Sequence, residues 1–178
     1  VALKAKEQGA EFVLSNAPVA LRLGKINELA ELCDTTVIAA DATNVEDLEN
    51  LFDQAIEKYG KLDFILHSIG MSPNVRKNKA YTELNYDWFL KTLDISALSF
   101  HKVLQVAYQK DALNEWSSVV ALTYIAAQRT FPGYNDMAEA KATLESIARS
   151  FGYHYGTKKN VRVNTISQSP TMTTAGSG

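Results

Sequence analysis

Short runs of β-branched and other apolar residues alternate along this chain with longer stretches in which apolar residues recur at helical spacing. The short runs predict strands over residues 11–16, 35–40, 62–67, 118–123 and 161–166. The longer stretches predict helices over residues 18–33, 45–59, 86–110 and 134–155. Strands that alternate with helices are typical of an α/β fold with a parallel sheet. The run from Leu62 to His67 is nearly all apolar, as expected of a parallel strand buried on both faces.

The two ends of the chain refine this prediction. Residues Val1 to Gly9 have the pattern of the last turns of a helix that Gly9 closes, with no strand before it. A dinucleotide-binding fold starts with a strand and a glycine-rich turn, and the sequence contains no such glycine cluster. Residues 167–178 have loop composition. We therefore expect residues 1–178 to form a single Rossmann-like, doubly wound dinucleotide-binding domain that lacks its first strand, its C-terminal substrate loop and its last strand.

Composition and charge exclude several classes of function. The formal charge of −2 and the sequence pI of about 5.9, with basic residues scattered among acids, argue against nucleic-acid binding. Cys33 is the only cysteine, so an internal disulfide and a cysteine-rich metal site are excluded and a reducing compartment is favoured. The apolar run around residues 119–127 is too short to span a membrane, and no targeting segment opens the chain. We expect a cytoplasmic protein without a metal site or membrane insertion.

The candidate chemistry starts with Tyr134, which is followed seven residues later by Lys141. On a helix, seven residues make about two turns and about 10 Å of rise, so both side chains would leave the same face. A phenol and an ammonium in this arrangement suit hydride-transfer chemistry, because the ammonium favours the phenolate and the phenol can donate to a developing oxyanion. The spacing is weak evidence by itself, since an amphipathic helix with a solvated lysine produces it too.

Several segments together resemble one family, the enoyl-acyl-carrier-protein reductases of bacterial fatty-acid synthesis, within the short-chain dehydrogenase/reductase superfamily. These segments are residues 66–70, 93–97, 122–129, 134–141 and 161–167. The resemblance implies NADH-dependent reduction of trans-2-enoyl thioesters, carried by acyl carrier protein, to saturated acyl thioesters. It also implies a homotetramer built on the faces of the two long helices.

The residues before Tyr134 discriminate within the superfamily. Ketoacyl and carbonyl reductases place a serine about thirteen residues before the tyrosine, and Ala121 stands there in this chain. The enoyl reductases instead have a second tyrosine ten residues before the first, and Tyr124 occupies that position. By resemblance, Tyr134 would hydrogen-bond the thioester carbonyl, Lys141 would hold the nicotinamide ribose, and Tyr124 would line the substrate pocket.

The expected cofactor contacts lie just past the predicted strand ends, where ligands bind in open α/β sheets. By family position, Asp41 and Ala42 flank the adenine, and Ser68, Ile69 and Gly70 contact the riboses. Pro170, Thr171 and Thr173 are expected at the nicotinamide amide and the phosphates. NADH is favoured over NADPH, with Arg22 the one nearby cation that could receive a phosphate.

Other interpretations stay open from the sequence. The chain could be a ketoacyl or alcohol reductase of the same superfamily, or an inactive nucleotide-binding fragment. Tyr124 could be a core aromatic, and Asp41 could merely cap the helix that starts near Val45. The cationic loop residues Arg76, Lys77 and Lys79 could form a solvated face or a landing site for an acidic carrier protein.

Overall fold

Strands and helices alternate along the chain in the computed structural model, which describes residues 1–22 and 24–167. The strands of this part are β1 (Leu14–Asn16), β2 (Val37–Ala39), β3 (Leu62–His67), β4 (Leu113–Thr123) and β5 (Arg162–Ser167). Its α-helices are α1 (Ala2–Glu7), α2 (Pro18–Leu21), α3 (Lys25–Cys33), α4 (Val45–Tyr59), α5 (Pro73–Arg76), α6 (Tyr86–Leu93), α7 (Ser99–Gln109) and α8 (Asp136–Lys159). The α/β class is therefore as predicted.

All strand pairs of the described residues are parallel. β1 pairs with β2, and β4 lies between β3 and β5 in a separate three-stranded sheet. In the second sheet Ala121 lies opposite His67 on one side and Thr165 on the other. Because parallel strands end at the same edge, the residues that follow β3 and β4 are brought together there.

β3 differs from its predicted environment, although its bounds agree with the prediction. The run was expected to be buried on both faces, but Phe64 is 52% exposed and Asp63 is exposed as well. Within the described residues β3 pairs only with β4, so it is an edge strand and its neighbours cover it incompletely. A nearly continuous apolar run indicates what a strand can bury, and the strands beside it decide how much of that surface is covered.

The core lies where α7 and α8 pack on β4. Its fully buried side chains include Phe100, Leu104, Val119, Leu144 and Tyr155. Burying each large apolar side chain contributes about 1.5–3 kcal/mol. The Tyr155 hydroxyl donates to the Leu104 carbonyl at 2.9 Å, which ties α8 to α7. Among the described residues, no helix combines the length and the apolar character needed to cross a membrane.

Three predicted helices have different bounds in the structure. The helix expected over 18–33 is two helices, because Gly24 between them adopts a left-handed φ of 74°. The helix expected over 86–110 contains a π-helical turn at Asp94–Leu98, between α6 and α7. α8 begins at Asp136 because Asn135 has a φ of 47°, which is incompatible with a right-handed helix. The last two irregularities lie beside the predicted site, as π-helical turns often do.

Candidate active site

Two tyrosines meet beyond the end of β4. The rings of Tyr124 and Tyr134 contact each other with centroids 4.8 Å apart, and Tyr124 also packs on Phe131 at 5.3 Å. Burial, followed by the neighbouring Tyr124, raises the pKa of Tyr134 to about 12. The lower pKa that a nearby Lys141 would produce is not found, because burial prevails, and the phenol stays protonated at neutral pH. Tyr134 is thus a hydrogen-bond donor.

The backbone around Tyr134 differs from the helical arrangement that the spacing predicts. Tyr134 lies before the first residue of α8, with the left-handed Asn135 between them. The Tyr134 carbonyl accepts a hydrogen bond from the Met137 amide at 3.2 Å, which anchors it to the first turn. The prediction that Tyr134 and Lys141 leave one helix face is therefore wrong. A loop, and not helical periodicity, places the phenol.

Lys141 is buried in the second turn of α8. Its side chain is 7% exposed, and Nζ donates to the Leu122 carbonyl near the end of β4 at 2.7 Å. A Cβ built on Gly70 would lie 3.6 Å from this Nζ, so the loop after β3 passes directly beside the ammonium. Burial lowers the pKa of Lys141 to about 8. The structure thus brings Lys141 and Gly70 together at the edge where Tyr124 follows β4.

Replacing Lys141 with methionine is expected to stabilise the fold by about 1–3 kcal/mol at pH 7, because a pKa lowered from 10.5 to about 8 means that burying the ammonium costs free energy. The cost is present below pH 8 and disappears as the pH rises from 8 to 10.5, since the folded state then binds fewer protons than the unfolded state. Urea denaturation at pH 7 measures the effect, with exposed Lys158→Met as the matched control. Equal destabilisation by both variants would contradict it.

The turn after β2 contains the two residues expected at the adenine. Asp41 Oδ1 accepts from the amide and hydroxyl of Thr43 at 2.9 and 2.8 Å, while the Asp41 amide donates to Asp47 Oδ2 at 2.8 Å. Asn44, and not Asp41, caps α4, because its Oδ1 accepts from the Asp47 amide at 3.1 Å. The capping interpretation of Asp41 is therefore wrong, and its contact with adenine stays a prediction, as does that of Ala42.

Sequence reasoning missed His67, the last residue of β3. Its ring is 2% exposed, and its centroid lies 5.0 Å from that of Phe100. The Ser99 hydroxyl donates to the Ile95 carbonyl at 2.7 Å, so it accepts from His67 Nε2 at 2.9 Å. Nδ1 is buried without a hydrogen-bond partner among the described residues. Burial, followed by the charge of Lys141, lowers the pKa of His67 to about 3.

The π-helical turn explains how the loop after β3 is held. Ser96, fully buried in this turn, accepts from the Met71 amide at 2.9 Å and donates to the Met71 carbonyl at 3.1 Å. Ser96 in this turn and Ser99, the first residue of α7, thus hold the two ends of the segment 67–71. Two serines three residues apart in the predicted helix over 86–110 were the available sequence signal.

The structure leaves three of the expected cofactor contacts untested. Pro170, Thr171 and Thr173 lie outside the described residues. Within residues 1–22 and 24–167, no group of three His, Cys, Asp or Glu side chains is placed to hold a metal ion. A cavity of about 480 Å³ between α8 and β5 is lined by residues such as Trp116 and Gly152 and does not include the tyrosines or Lys141.

Comparison with known proteins decides the family. A family model described as Enoyl-(Acyl carrier protein) reductase matches residues 1–178. The chain belongs to this family. It is 33% identical over 171 residues to an enoyl-[acyl-carrier-protein] reductase [NADH] 2 of Rhizobium meliloti (strain 1021), covering 96% of this chain and 63% of that protein. It is 33% identical over 178 residues to an enoyl-[acyl-carrier-protein] reductase [NADH] FabI of Rickettsia bellii, covering 99% and 66%.

Solved enoyl reductases confirm the Rossmann-like fold. The chain is 67% identical to the protein in the crystal structure of a FabI–NADH complex from Alistipes finegoldii, with a TM-score of 0.97 over 99% of this chain and 62% of that one. An enoyl-[acyl-carrier-protein] reductase (NADH) from Aquifex aeolicus is 29% identical with a TM-score of 0.88. The chain thus spans about two thirds of the length of the relatives that it matches.

Family membership agrees with Ala121, which replaces the serine expected in ketoacyl and carbonyl reductases. Ala121 is fully buried in β4, where its methyl group belongs to the apolar core. No hydroxyl is available at this position to hold a ketone or alcohol oxygen. The resemblance to enoyl reductases is confirmed, and it is favoured over the ketoacyl and alcohol reductase alternatives.

Proposed function

We propose that the protein carrying this chain is an NADH-dependent enoyl-acyl-carrier-protein reductase, which reduces trans-2-enoyl thioesters to saturated acyl thioesters in fatty-acid synthesis. The observation that carries the proposal is the contact between Tyr124 and Tyr134 beyond the end of β4, near which Lys141 donates to the Leu122 carbonyl. The buried Ala121 supports enoyl over ketone chemistry. The names of the relatives, which are NADH enoyl reductases, support the same reaction.

Tyr134 would stabilise the charge that forms during the reaction. Bound NADH supplies a hydride for the β-carbon of the enoyl thioester. Negative charge then develops on the thioester carbonyl oxygen, so a donor aimed at that oxygen accelerates the reaction. The raised pKa of Tyr134 keeps its proton in place at neutral pH, as this role requires. Tyr124, whose ring lies against Tyr134, would orient the phenol and line the acyl pocket.

The residues present fit a nicotinamide dinucleotide. Lys141 places a buried donor beside Gly70, where the ribose hydroxyls would bind. The backbone of Ser68, Ile69 and Gly70, held by Ser96 through Met71, would contact the adenosine and nicotinamide riboses. The turn at Asp41 and Ala42 would flank the adenine. Pro170, Thr171 and Thr173 are proposed for the nicotinamide amide and phosphates on the resemblance alone.

The wider setting follows from the same proposal. Residues 1–178 would form one dinucleotide-binding catalytic unit of a longer enzyme, with NADH preferred over NADPH. The substrate would arrive on acyl carrier protein, and the enzyme would be a cytoplasmic homotetramer. The names of the relatives support the carrier protein and NADH. The tetramer and the compartment rest on the family resemblance.

The testing experiment compares two substrates under identical conditions. The full-length protein is expected to oxidise NADH with a short trans-2-enoyl thioester and to leave the corresponding 3-keto thioester unreduced, because Ala121 offers no hydroxyl to the ketone. Absorbance at the nicotinamide band follows both reactions, with NADPH as the parallel cofactor. Preferred turnover of the ketone would contradict the proposal, and NADH binding without turnover of either substrate would favour an inactive nucleotide-binding protein.

A further inference from the structure

A buried carboxylate lies at the first residue of α8, two positions after Tyr134. Asp136 is 0% exposed. Its Oδ1 accepts from the Ser72 hydroxyl at 2.6 Å, and its Oδ2 accepts from the Asn74 amide at 2.9 Å and the Thr92 hydroxyl at 2.7 Å. The three donors are themselves at most 3% exposed. One carboxylate thus joins the segment that leads into α5, helix α6 and the start of α8.

The donors around Asp136 are neutral. No salt bridge to Asp136 is found among the described residues, so the charge rests on three hydrogen bonds and on its place in the first turn of a 24-residue helix. Burying a carboxylate is costly, and a well-packed apolar side chain would serve stability as well or better. A carboxylate kept at such a position is better suited to fixing one arrangement of the surrounding segments.

A second set of hydrogen bonds extends this arrangement on both sides. The Asn74 amide also donates to the Asn85 carbonyl at 3.1 Å, and the Asn85 amide donates to Asn74 Oδ1 at 3.0 Å. Asn85 caps α6 in turn, accepting from the Trp88 amide at 2.9 Å. Beside Asp136, the Asn135 side-chain amide donates to the Lys79 carbonyl at 2.6 Å. These hydrogen bonds hold residues 72–79 against Asn135 and Asp136, the two residues that follow Tyr134. We call the set formed by Asp136, Ser72, Asn74, Thr92 and Asn135 the latch.

The latch adjoins both sides of the proposed site, Tyr134 and the loop at Gly70. On one side, left-handed Asn135 separates Tyr134 from α8, so helical geometry alone does not place the phenol. On the other side, Ser72 directly follows Met71, whose backbone Ser96 holds beside Gly70. We propose that Asp136 is a positioning residue, which sets the Tyr134 phenol at a fixed distance from the loop at Gly70. This inference rests on the proposed function, since it concerns the reaction of the same site.

Two conservative pairs of variants test the proposal in the full-length protein. Thr92→Val removes one donor and keeps the side-chain volume, whereas Thr92→Ser keeps the hydroxyl. Asp136→Asn keeps the shape but replaces one acceptor oxygen with an NH2 donor that faces other donors. Exposed Asp87→Asn, in the first turn of α6, is its control for charge. Misplacing a reacting group costs about tenfold to a hundredfold, so we expect such a fall in kcat for Thr92→Val and Asp136→Asn. Thr92→Ser and Asp87→Asn should stay close to wild type.

The dissociation constant of NADH should change much less than kcat in all four variants, because Ser96 still holds the backbone at Met71 beside Gly70 and the latch does not contact the turn at Asp41. Amide exchange supplies a second readout: the amides of Arg76, Lys77 and Lys79, which donate to residues 72–74, should exchange faster in Thr92→Val than in Thr92→Ser. The Leu48 amide in α4 should be unaffected. If Asp136→Asn does not fold, the two Thr92 variants still provide the test.

Two outcomes would overturn the positioning role. One is unchanged amide exchange, which would mean that Thr92 and Asp136 do not hold the segment. The other is faster exchange with an unchanged kcat, which would make the latch structural only. Failure of the proposed function is distinct from both, because there the wild-type protein itself would not reduce the enoyl thioester.

Discussion

Replacing Tyr134 with phenylalanine in the full-length protein is expected to slow turnover of a trans-2-enoyl thioester by about a hundredfold to a thousandfold. The substitution removes one hydroxyl and keeps the ring that packs on Tyr124. Because the hydrogen bond to the carbonyl oxygen strengthens as negative charge develops, its loss should lower kcat and leave the dissociation constant of NADH unchanged. Steady-state kinetics and a fluorescence titration of NADH measure the two quantities.

Two further tyrosine variants make this result specific. Tyr124→Phe keeps the contact between the rings and removes the other hydroxyl of the pair, so it shows which phenol is the donor. Tyr153→Phe, on an exposed part of α8, is the control for the substitution itself. We expect a smaller fall for Tyr124→Phe and none for Tyr153→Phe. Full activity of Tyr134→Phe, or a larger loss in Tyr124→Phe, would assign the donor elsewhere.

The strands and long helices could be predicted because their signals are local. α4 begins and ends as predicted, with Asn44 at its start and Gly60, at a φ of 74°, after its last residue. β3 also has its predicted bounds. Its exposure was wrong because burial depends on which strands lie alongside, and apolar pattern does not contain that information. β4 is longer than predicted, starting at Leu113, because the polar residues of its first half gave no strand signal.

The residue types of the site were predictable, and their environment was not. Tyr124, Tyr134 and Lys141 stand out in the sequence. The two tyrosines contact each other beyond the end of β4, and Lys141 donates to Leu122 near that end. The direction of the pKa shift of Tyr134 depends on burial, which competes with the ammonium charge and can be judged only in three dimensions. The left-handed Asn135 and the π-helical turn likewise reflect tertiary contacts that override helix propensity.

His67 and Asp136 were missed for a related reason. A lone histidine at the end of an apolar strand and an aspartate at a helix start are ordinary in sequence. Each becomes informative only through complete burial beside the catalytic candidates. The polar partners come from segments at least 32 residues away along the chain, a separation over which local patterns carry no information.

The burial of His67 is expected to make the protein sensitive to acid. The pKa of His67 falls from 6.5 to about 3 on folding, so below pH 6.5 the unfolded state binds a proton that the folded state does not. The stabilisation is fully present above pH 6.5 and is lost as the pH falls toward 3. One such group contributes a slope of about 1.4 kcal/mol per pH unit, or about 5 kcal/mol across the whole window from pH 6.5 to 3.

Urea denaturation of the wild type and of His67→Gln between pH 7.5 and pH 4 isolates this contribution, because glutamine can still donate to Ser99 but does not titrate. The variant should start less stable at pH 7.5 and lose less stability on acidification, so that the two curves converge. His154 is exposed, so the stability of the control variant His154→Gln should follow that of the wild type at every pH. Parallel curves for the wild type and His67→Gln would mean that the ring takes up a proton in the folded state. In that case burial and the charge of Lys141 would not keep His67 neutral, and the two residues would both be cations at one end of the sheet.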